Sequence, residues 1–131
     1  MTDRRADRRA DRRERGQRAE RAAVEHLKAL GFDIDGTNVR VGALEIDVVA
    51  RKDDLVVVGE VRTRGKTAWT SALASVDGKK QRYLVRAAER LYRERFAKEP
   101  TPPRLRFDVF AVELADDGST HVEHIIGAFT G

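Results

Sequence analysis

The sequence predicts a single mixed α/β domain, one sheet with helices on its flanks. Three observations carry this expectation. Periodic segments run in the order helix, three strands, helix, two strands. Their connections are of two kinds, short polar turns that suit hairpins and one long segment that suits a crossover. At 131 residues and 40% apolar content the chain can bury one core, while 37% charged residues must make a heavily ionic surface.

Residues 2–15, TDRRADRRADRRER, repeat a DRR(A) unit with no large apolar side chain, so they can bury no core. Residues 1–15 therefore read as a basic low-complexity arm. It is either disordered or a frayed extension of the next helix, and either solubilising or phosphate-seeking. The folded domain is expected over residues 16–131. From Arg18 to Leu30, Ala19, Ala22, Ala23, Leu27 and Leu30 recur at helical spacing, and Gly31 is a good stop. Residues 32–41 alternate loosely as a strand. In residues 44–50, Leu44, Ile46 and Val48 are expected on one face and Glu45 and Asp47 on the other. Arg51-Lys52-Asp53-Asp54 reads as a polar turn, and Val-rich residues 55–61 as a buried strand. Residues 64–75 look irregular, with Trp69 as their anchor. Asp77 is a plausible N-cap for a helix reaching about Ala97. Pro100, Pro102 and Pro103 break the chain before strands at 105–114 and 121–127, joined by Asp116-Asp117-Gly118.

Composition excludes several classes. There is no Cys, so disulfide scaffolds, thiolate zinc sites and cysteine nucleophiles are ruled out. No apolar run approaches the roughly 20 residues of a membrane span, and the Arg/Asp-rich start does not resemble a secretory signal. The expectation is a cytoplasmic protein with no membrane partner. The net charge of +4 is unevenly spread: +3 over residues 1–15, −3 over 16–61, +9 over 62–106 and −5 over 107–131. Arg outnumbers Lys twenty to six, which coding bias can explain, but bias does not explain where the charges fall. Clustered carboxylates beside a basic stretch suit a metal-dependent nuclease, with nucleic acid as the partner.

The carboxylates lie on adjacent strands. Closing the hairpin over residues 51–54 pairs Ala50 with Leu55, sets Glu45 opposite Glu60, and makes Glu60 the diagonal neighbour of Asp47 at roughly 7–8 Å. Like charges so placed need compensation, from a divalent metal or from arginine. Mg²⁺ binds through one or two carboxylates and keeps waters and phosphate oxygens as its other ligands. It would polarise a phosphodiester and activate water, with Arg62 reaching phosphate oxygens. The alternative is a set of solvated acids neutralised by Arg40, Arg62 and Arg64.

The strings LEIDVVA (44–50), VGEVRTR (58–64), SVDGKKQ (75–81) and RFDVF (106–110), with Gly16, Glu20 and Asn38 before them, resemble the YraN family of bacterial proteins. The resemblance runs in order over residues 16–129. It implies a restriction-endonuclease-like fold, similar to archaeal Holliday junction resolvases, and an Asp followed on the next strand by Glu-x-Lys as a metal site. Asp47 would take the Asp position, Glu60 the Glu and Arg62 the Lys, with Glu20 as the extra helical carboxylate. Glu20, Asp47 and Glu60 would then hold Mg²⁺ or Mn²⁺ for hydrolysis of DNA, including branched or flapped DNA. The alternative is a catalytically silent nucleic-acid-binding or adaptor module. Arg62 stands where the superfamily has Lys, Ala43-Leu44 where Gly-Gly is common, Gly59 where an apolar residue is usual, and Ala19 where Gly precedes the helical Glu. Arg can stabilise charge on phosphate but cannot be deprotonated.

On the second helix Lys79, Arg82, Arg86, Arg90 and Arg93 fall within an arc of roughly 80°, opposite Leu84, Ala87, Ala88 and Leu91. This is either a phosphate-contacting stripe or a soluble face. Lys80, about a quarter-turn away, matches a recurring YraN lysine and is a further candidate for phosphate. Trp69 and Tyr83 could stack on a base. His26, His121 and His124 lie on different elements or opposite faces, which disfavours a shared metal, and His26 reads as a surface residue. Asp108 reads as a structural ion-pair residue or a buttress, accepting from Arg62 or Arg106.

Overall fold

The computed structural model describes residues 3–64 and 77–130; the expected anchor Trp69 lies outside them. Its elements are α1 (Arg4–Ala29), β1 (Asp33–Val41), β2 (Leu44–Lys52), β3 (Leu55–Arg64), α2 (Gly78–Arg95), β4 (Arg104–Leu114) and β5 (Thr120–Phe129). The five strands form one sheet in the order β1-β2-β3-β4-β5, antiparallel except for β3 and β4, which run parallel across the α2 crossover. This is the predicted mixed α/β architecture, and its layout is that of a restriction-endonuclease-like fold.

The two helices cover opposite faces of the sheet. Period-two alternation sends Val56, Val58 and Phe107 toward Ala87, Ala88 and Leu91 of α2. It sends Val57 and Phe110 toward Ala23 and Leu27 of α1. Strands buried on both sides read as continuous Val-rich runs, as residues 55–58 do. Gly59 faces the α1 side, where an added Cβ would come within 2.6 Å of both Phe110 and Val48. An apolar residue usual at that position is excluded here by the Phe110 ring. Among the described residues no helix is long and apolar enough to cross a membrane.

Three local features differ from expectation. First, the β2–β3 turn has two residues instead of four: Lys52 pairs with Leu55 and Ala50 with Val57. Asp53 adopts a left-handed φ of 54°, which Asp tolerates. Arg51 and Lys52 stay in the strand because distant partners hold them. Arg51 forms a two-pronged bond to Glu99 at 2.6 and 2.8 Å, and Lys52 Nζ donates to the Leu30 carbonyl at 2.8 Å.

Second, the alternation of β2 breaks. Leu44 and Ile46 pack in the α2 cluster but Val48 packs in the α1 cluster. The break sits beside Asn38, which has a φ of 49° and lies between the pairs Thr37–Val48 and Val39–Ile46, so it stands across from Asp47. Glu45 and Asp47 therefore do not share a face; Glu45 lies 4.0 Å from Arg40 at the rim.

Third, α1 starts at Arg4, well before the periodic run from Arg18, so of the two readings of the arm the helix extension is the one that holds. Asp3 caps it, accepting from the Arg5 and Ala6 amides at 2.9 and 3.3 Å. Both edge strands are bulged as well. In β1 the register shifts between Ile34 and Gly36, and in β5 residues 126–128 together face Asp108, with Gly127 at a φ of 61°.

Candidate active site

The corrected register brings Asp47 and Glu60 closer than the diagonal expected from sequence. Val48–Gly59 is the last pair of the ladder, and Asp47 and Glu60 are the next residues beyond it on either strand, close enough for their side chains to interact. Asp47 Oδ2 accepts from the Val61 amide at 2.8 Å, which fixes its carboxylate against β3. Glu60, in phase with Val56 and Val58, points to the α2 side and is only 5% exposed. Its Oε1 lies 3.2 Å from Arg62 and 3.7 Å from Lys80 Nζ at the start of α2. No donor reaches its buried Oε2, so Glu60 can bond to Asp47 only by sharing a proton with it, and Arg62 Nε is buried without a partner. A buried polar atom without a partner is costly, and each such atom wants a ligand.

Electrostatics reinforce the geometry. Burial, and next the Asp47 carboxylate beside it, push Glu60 up to about 7, while Lys80 and Arg62 only partly offset them. The folded protein therefore holds more protons than the unfolded chain between the ordinary 4.5 and about 7. Stability of the metal-free protein is expected to fall as pH rises through that window and to level off above it. The part due to Glu60 is on the order of 3 kcal/mol. Urea unfolding at pH 5 and pH 8 should show a larger loss in the parent than in Glu60→Gln. Equal losses would show that Glu60 is not held above its ordinary range.

Of the residues singled out from sequence, the structure brings together Asp47, Glu60, Arg62 and Lys80. Lys80, expected only as a phosphate contact, joins the carboxylates because Asp77 caps α2, accepting from the Lys80 amide at 2.9 Å, and sets the helix start beside β3. Glu20 is not drawn in. Its Oε2 accepts from Asn38 Nδ2 at 3.0 Å on the α1 side, and among the described residues no three acids or histidines converge as a metal cluster. Asn38 stands between Glu20 and Asp47 in the register. The available donor set is thus two carboxylates, which fits Mg²⁺ or Mn²⁺ completed by water and phosphate oxygens.

On α2, Lys79, Arg82, Arg86 and Arg90 are exposed, opposite buried Leu84, Ala87, Ala88 and Leu91. Arg90 is bonded to Glu94 at 3.1 Å; among the described residues Arg82 and Arg86 pair with no carboxylate.

A second polar cluster contains the Asp108–Arg106 ion pair expected from sequence and adds two histidines that the sequence did not bring together. Asp108, fully buried, accepts from Arg106 at 2.9 and 2.8 Å and from the Gly127 amide at 3.0 Å. It also lies 2.7 Å from His124 Nε2, and His124 Nδ1 lies 3.1 Å from His26 Nε2 on α1. Burial alone would raise Asp108, but the bonds from His124, Arg106 and Gly127 hold it below the usual carboxylate range. Burial, then the charge of His124, lowers His26. His26 is therefore no free surface residue: α1 crosses over β4 and β5 and carries it onto His124, 98 positions away. A lone Asp in the apolar string of β4 was the one signal that buried partners were needed. This cluster lies on the α1 face, across the sheet from Glu60.

An Asp and a Glu-x-Arg on adjacent antiparallel strands, beside the start of a crossover helix, define the class as a restriction-endonuclease-like α/β protein. The chain belongs to the family described as Uncharacterised protein family UPF0102, the YraN group, whose match covers residues 19–112. It is 46% identical over 114 residues to a UPF0102 protein of Sorangium cellulosum, covering 87% of this chain and 79% of that one. It is 42% identical over 117 residues to one of Myxococcus xanthus, covering 89% and 90%. It is 37% identical over 121 residues to one of Pseudomonas aeruginosa, covering 91% and 90%. None of these names states an activity.

Proposed function

We propose that the protein is a metal-dependent nuclease acting on DNA. The observation that carries this reading is Glu60: a buried carboxylate with one oxygen that no donor reaches, held against Asp47 and flanked by Arg62 and Lys80. Most buried structural acids have both oxygens satisfied by donors, and Glu60 has donors on one only. Asp47 and Glu60 would hold Mg²⁺ or Mn²⁺, and Glu20 would act only through Asn38. When bound, the ion supplies polarisation of the phosphodiester and activation of a water. Arg62, with its buried Nε still unpaired, offers a fork for phosphate oxygens. Lys80 contributes the ammonium that Arg62 cannot replace in proton transfer.

The competing reading is a nucleic-acid-binding module without turnover. It is favoured by the two cations already on Glu60 Oε1, which compensate its charge with no metal. A cleavage screen with Mn²⁺ over single-stranded, duplex, flap and four-way DNA separates the two, since the silent module cuts none of them.

Duplex binding has its own expected outcome. Each neutralised phosphate contributes a slope of about −0.9 in log affinity against log salt. Replacing Arg82, Arg86 and Arg90 by Ala should flatten the slope by about 2–3 units, nearly uniformly across sequences. Ala is the best helix former and the apolar face is untouched, so circular dichroism should not change. An unchanged slope would make the stripe a soluble face only.

A further inference from the structure

We propose that residues 4–15 form a helical arm that lies along duplex nucleic acid at the end of the sheet bearing the carboxylate site. The inference rests on the nucleic-acid reading above but not on cleavage. Because α1 is continuous from Arg4, the DRR(A) repeat takes helical rather than random geometry. At 100° per residue, Arg4, Arg5, Arg8, Arg9, Arg12, Arg13 and Arg15 all fall within a half-cylinder of roughly 180° that holds no acid. Asp3, Asp7, Asp11 and Glu14 gather in a separate arc of roughly 80°. Every residue from 3 to 15 is exposed, and among the described residues no ion pair joins these arginines to these acids. The half-cylinder is about 18 Å long.

This arrangement is poor for an isolated helix. A four-residue repeat stacks like charges at i and i+4, Arg4 on Arg8 on Arg12 and Arg5 on Arg9 on Arg13, and each such pair is destabilising. Opposite charges do stand three or four apart at Arg4–Asp7, Arg8–Asp11 and Asp11–Arg15, but among the described residues none of these pairs closes as an ion pair. A polyanion along the arginine face removes the repulsion, and counterion release adds affinity.

The chemistry selects the polyanion. Residues 4–15 carry alanine as their only apolar residue, so the arm has no face to bury in a membrane. It has no aromatic on which unpaired bases could stack, so a duplex backbone fits best. Position agrees. Ala19, where the helix meets the core, packs on Val112 and Leu114 near the C-terminal end of β4. At that same end the neighbouring β3 carries Glu60 and Arg62. One turn of α1 away from the arm, Glu20 holds Asn38 across from Asp47. The arm thus leaves the domain at the end of the sheet that bears the site, and it lies outside the family match, which begins at residue 19.

The test uses a full-length variant of unchanged composition, Asp7→Arg/Arg9→Asp/Asp11→Arg/Arg12→Asp, which keeps net charge but places two acids within the arginine face. Binding to a 30-base-pair duplex is measured against salt in EDTA, so that cleavage plays no part. The rearranged arm should bind about 10-fold or more weakly at 0.1 M salt, with a slope flatter by about 2–3 units. Single-stranded DNA and phosphatidylserine vesicles should discriminate little between parent and variant. A parent slope in the variant overturns the arm, as does an equal loss on vesicles. If the α2 triple variant alone flattens the slope, the arm fails while the nucleic-acid reading stands. If the parent binds no duplex at all, both fail.

Discussion

Asp47→Asn and Glu60→Gln should each abolish cleavage, by at least about two to three orders of magnitude, while duplex affinity stays equal or improves. Loss of a ligand forfeits several kcal/mol of charge stabilisation at the phosphoryl centre, and each 1.36 kcal/mol is about tenfold in rate. Binding does not suffer, because removing a negative charge beside phosphate lessens repulsion. Neither variant should unfold. The Asn oxygen can still accept from the Val61 amide, as Asp47 Oδ2 does at 2.8 Å, and Gln removes a charge that burial already disfavours at Glu60. Calorimetric titration with Mn²⁺ should lose its heat in both. Cleavage at the parent rate in both variants would remove these residues from catalysis. A retained Mn²⁺ heat would place the ion elsewhere.

Asp108→Ala is expected to be the most destabilising single change. It strips the partner from the Arg106 guanidinium, the His124 ring and the Gly127 amide together. Breaking a buried ion pair from one side costs about 3–5 kcal/mol. In a chain of this length that corresponds to a fall of about 10–20 °C in Tm. Asp108→Asn, which still accepts one or two of these bonds, should cost about half as much. Because the cluster sits on the α1 face, the Asn variant should keep the Mn²⁺ heat of the Asp47–Glu60 pair. A thermal melt within about 3 °C of the parent for the Ala variant would show that the cluster is not a support of the fold.

The two clusters mark where sequence stops being informative. Helical spacing in residues 18–30 and 77–95, and the continuous Val-rich run in 55–61, announced the layers, because burial on one or both faces writes itself into the local pattern of apolar residues. The pairing of Asp47 with Glu60 was legible as proximity but not as register. Arg51 and Lys52 look like turn residues until Glu99 and the Leu30 carbonyl, both far along the chain, hold them in β2. The left-handed Asn38 and the change of face at Asp47 likewise come from the sheet, not from period two. Glu20 was rightly placed on the first helix, yet its partner depends on how that helix crosses β1. His26 meets His124 only because α1 lies across β4 and β5, and no spacing rule reaches 98 residues. Lys80 joined the carboxylates through the placement of the α2 cap, which is a tertiary fact.

The bulges of β1 and β5 affect how the molecule behaves among its neighbours. An open sheet has two rims of unpaired amides and carbonyls, each an invitation to aggregation through strand addition. Here the interruptions fall on the two outermost strands: the shift at Ile34–Gly36 with left-handed Asn38 on one rim, and the three-for-one step at Gly127 on the other. An incoming strand from another molecule would find a straight ladder for only part of its length on either rim. Ile126, pushed out to 60% exposure at the second bulge, lies at such an interruption rather than along a flat apolar strip. The distortions that receive the Asp108 carboxylate and separate Glu45 from Asp47 thus also blunt the rims against edge-to-edge growth.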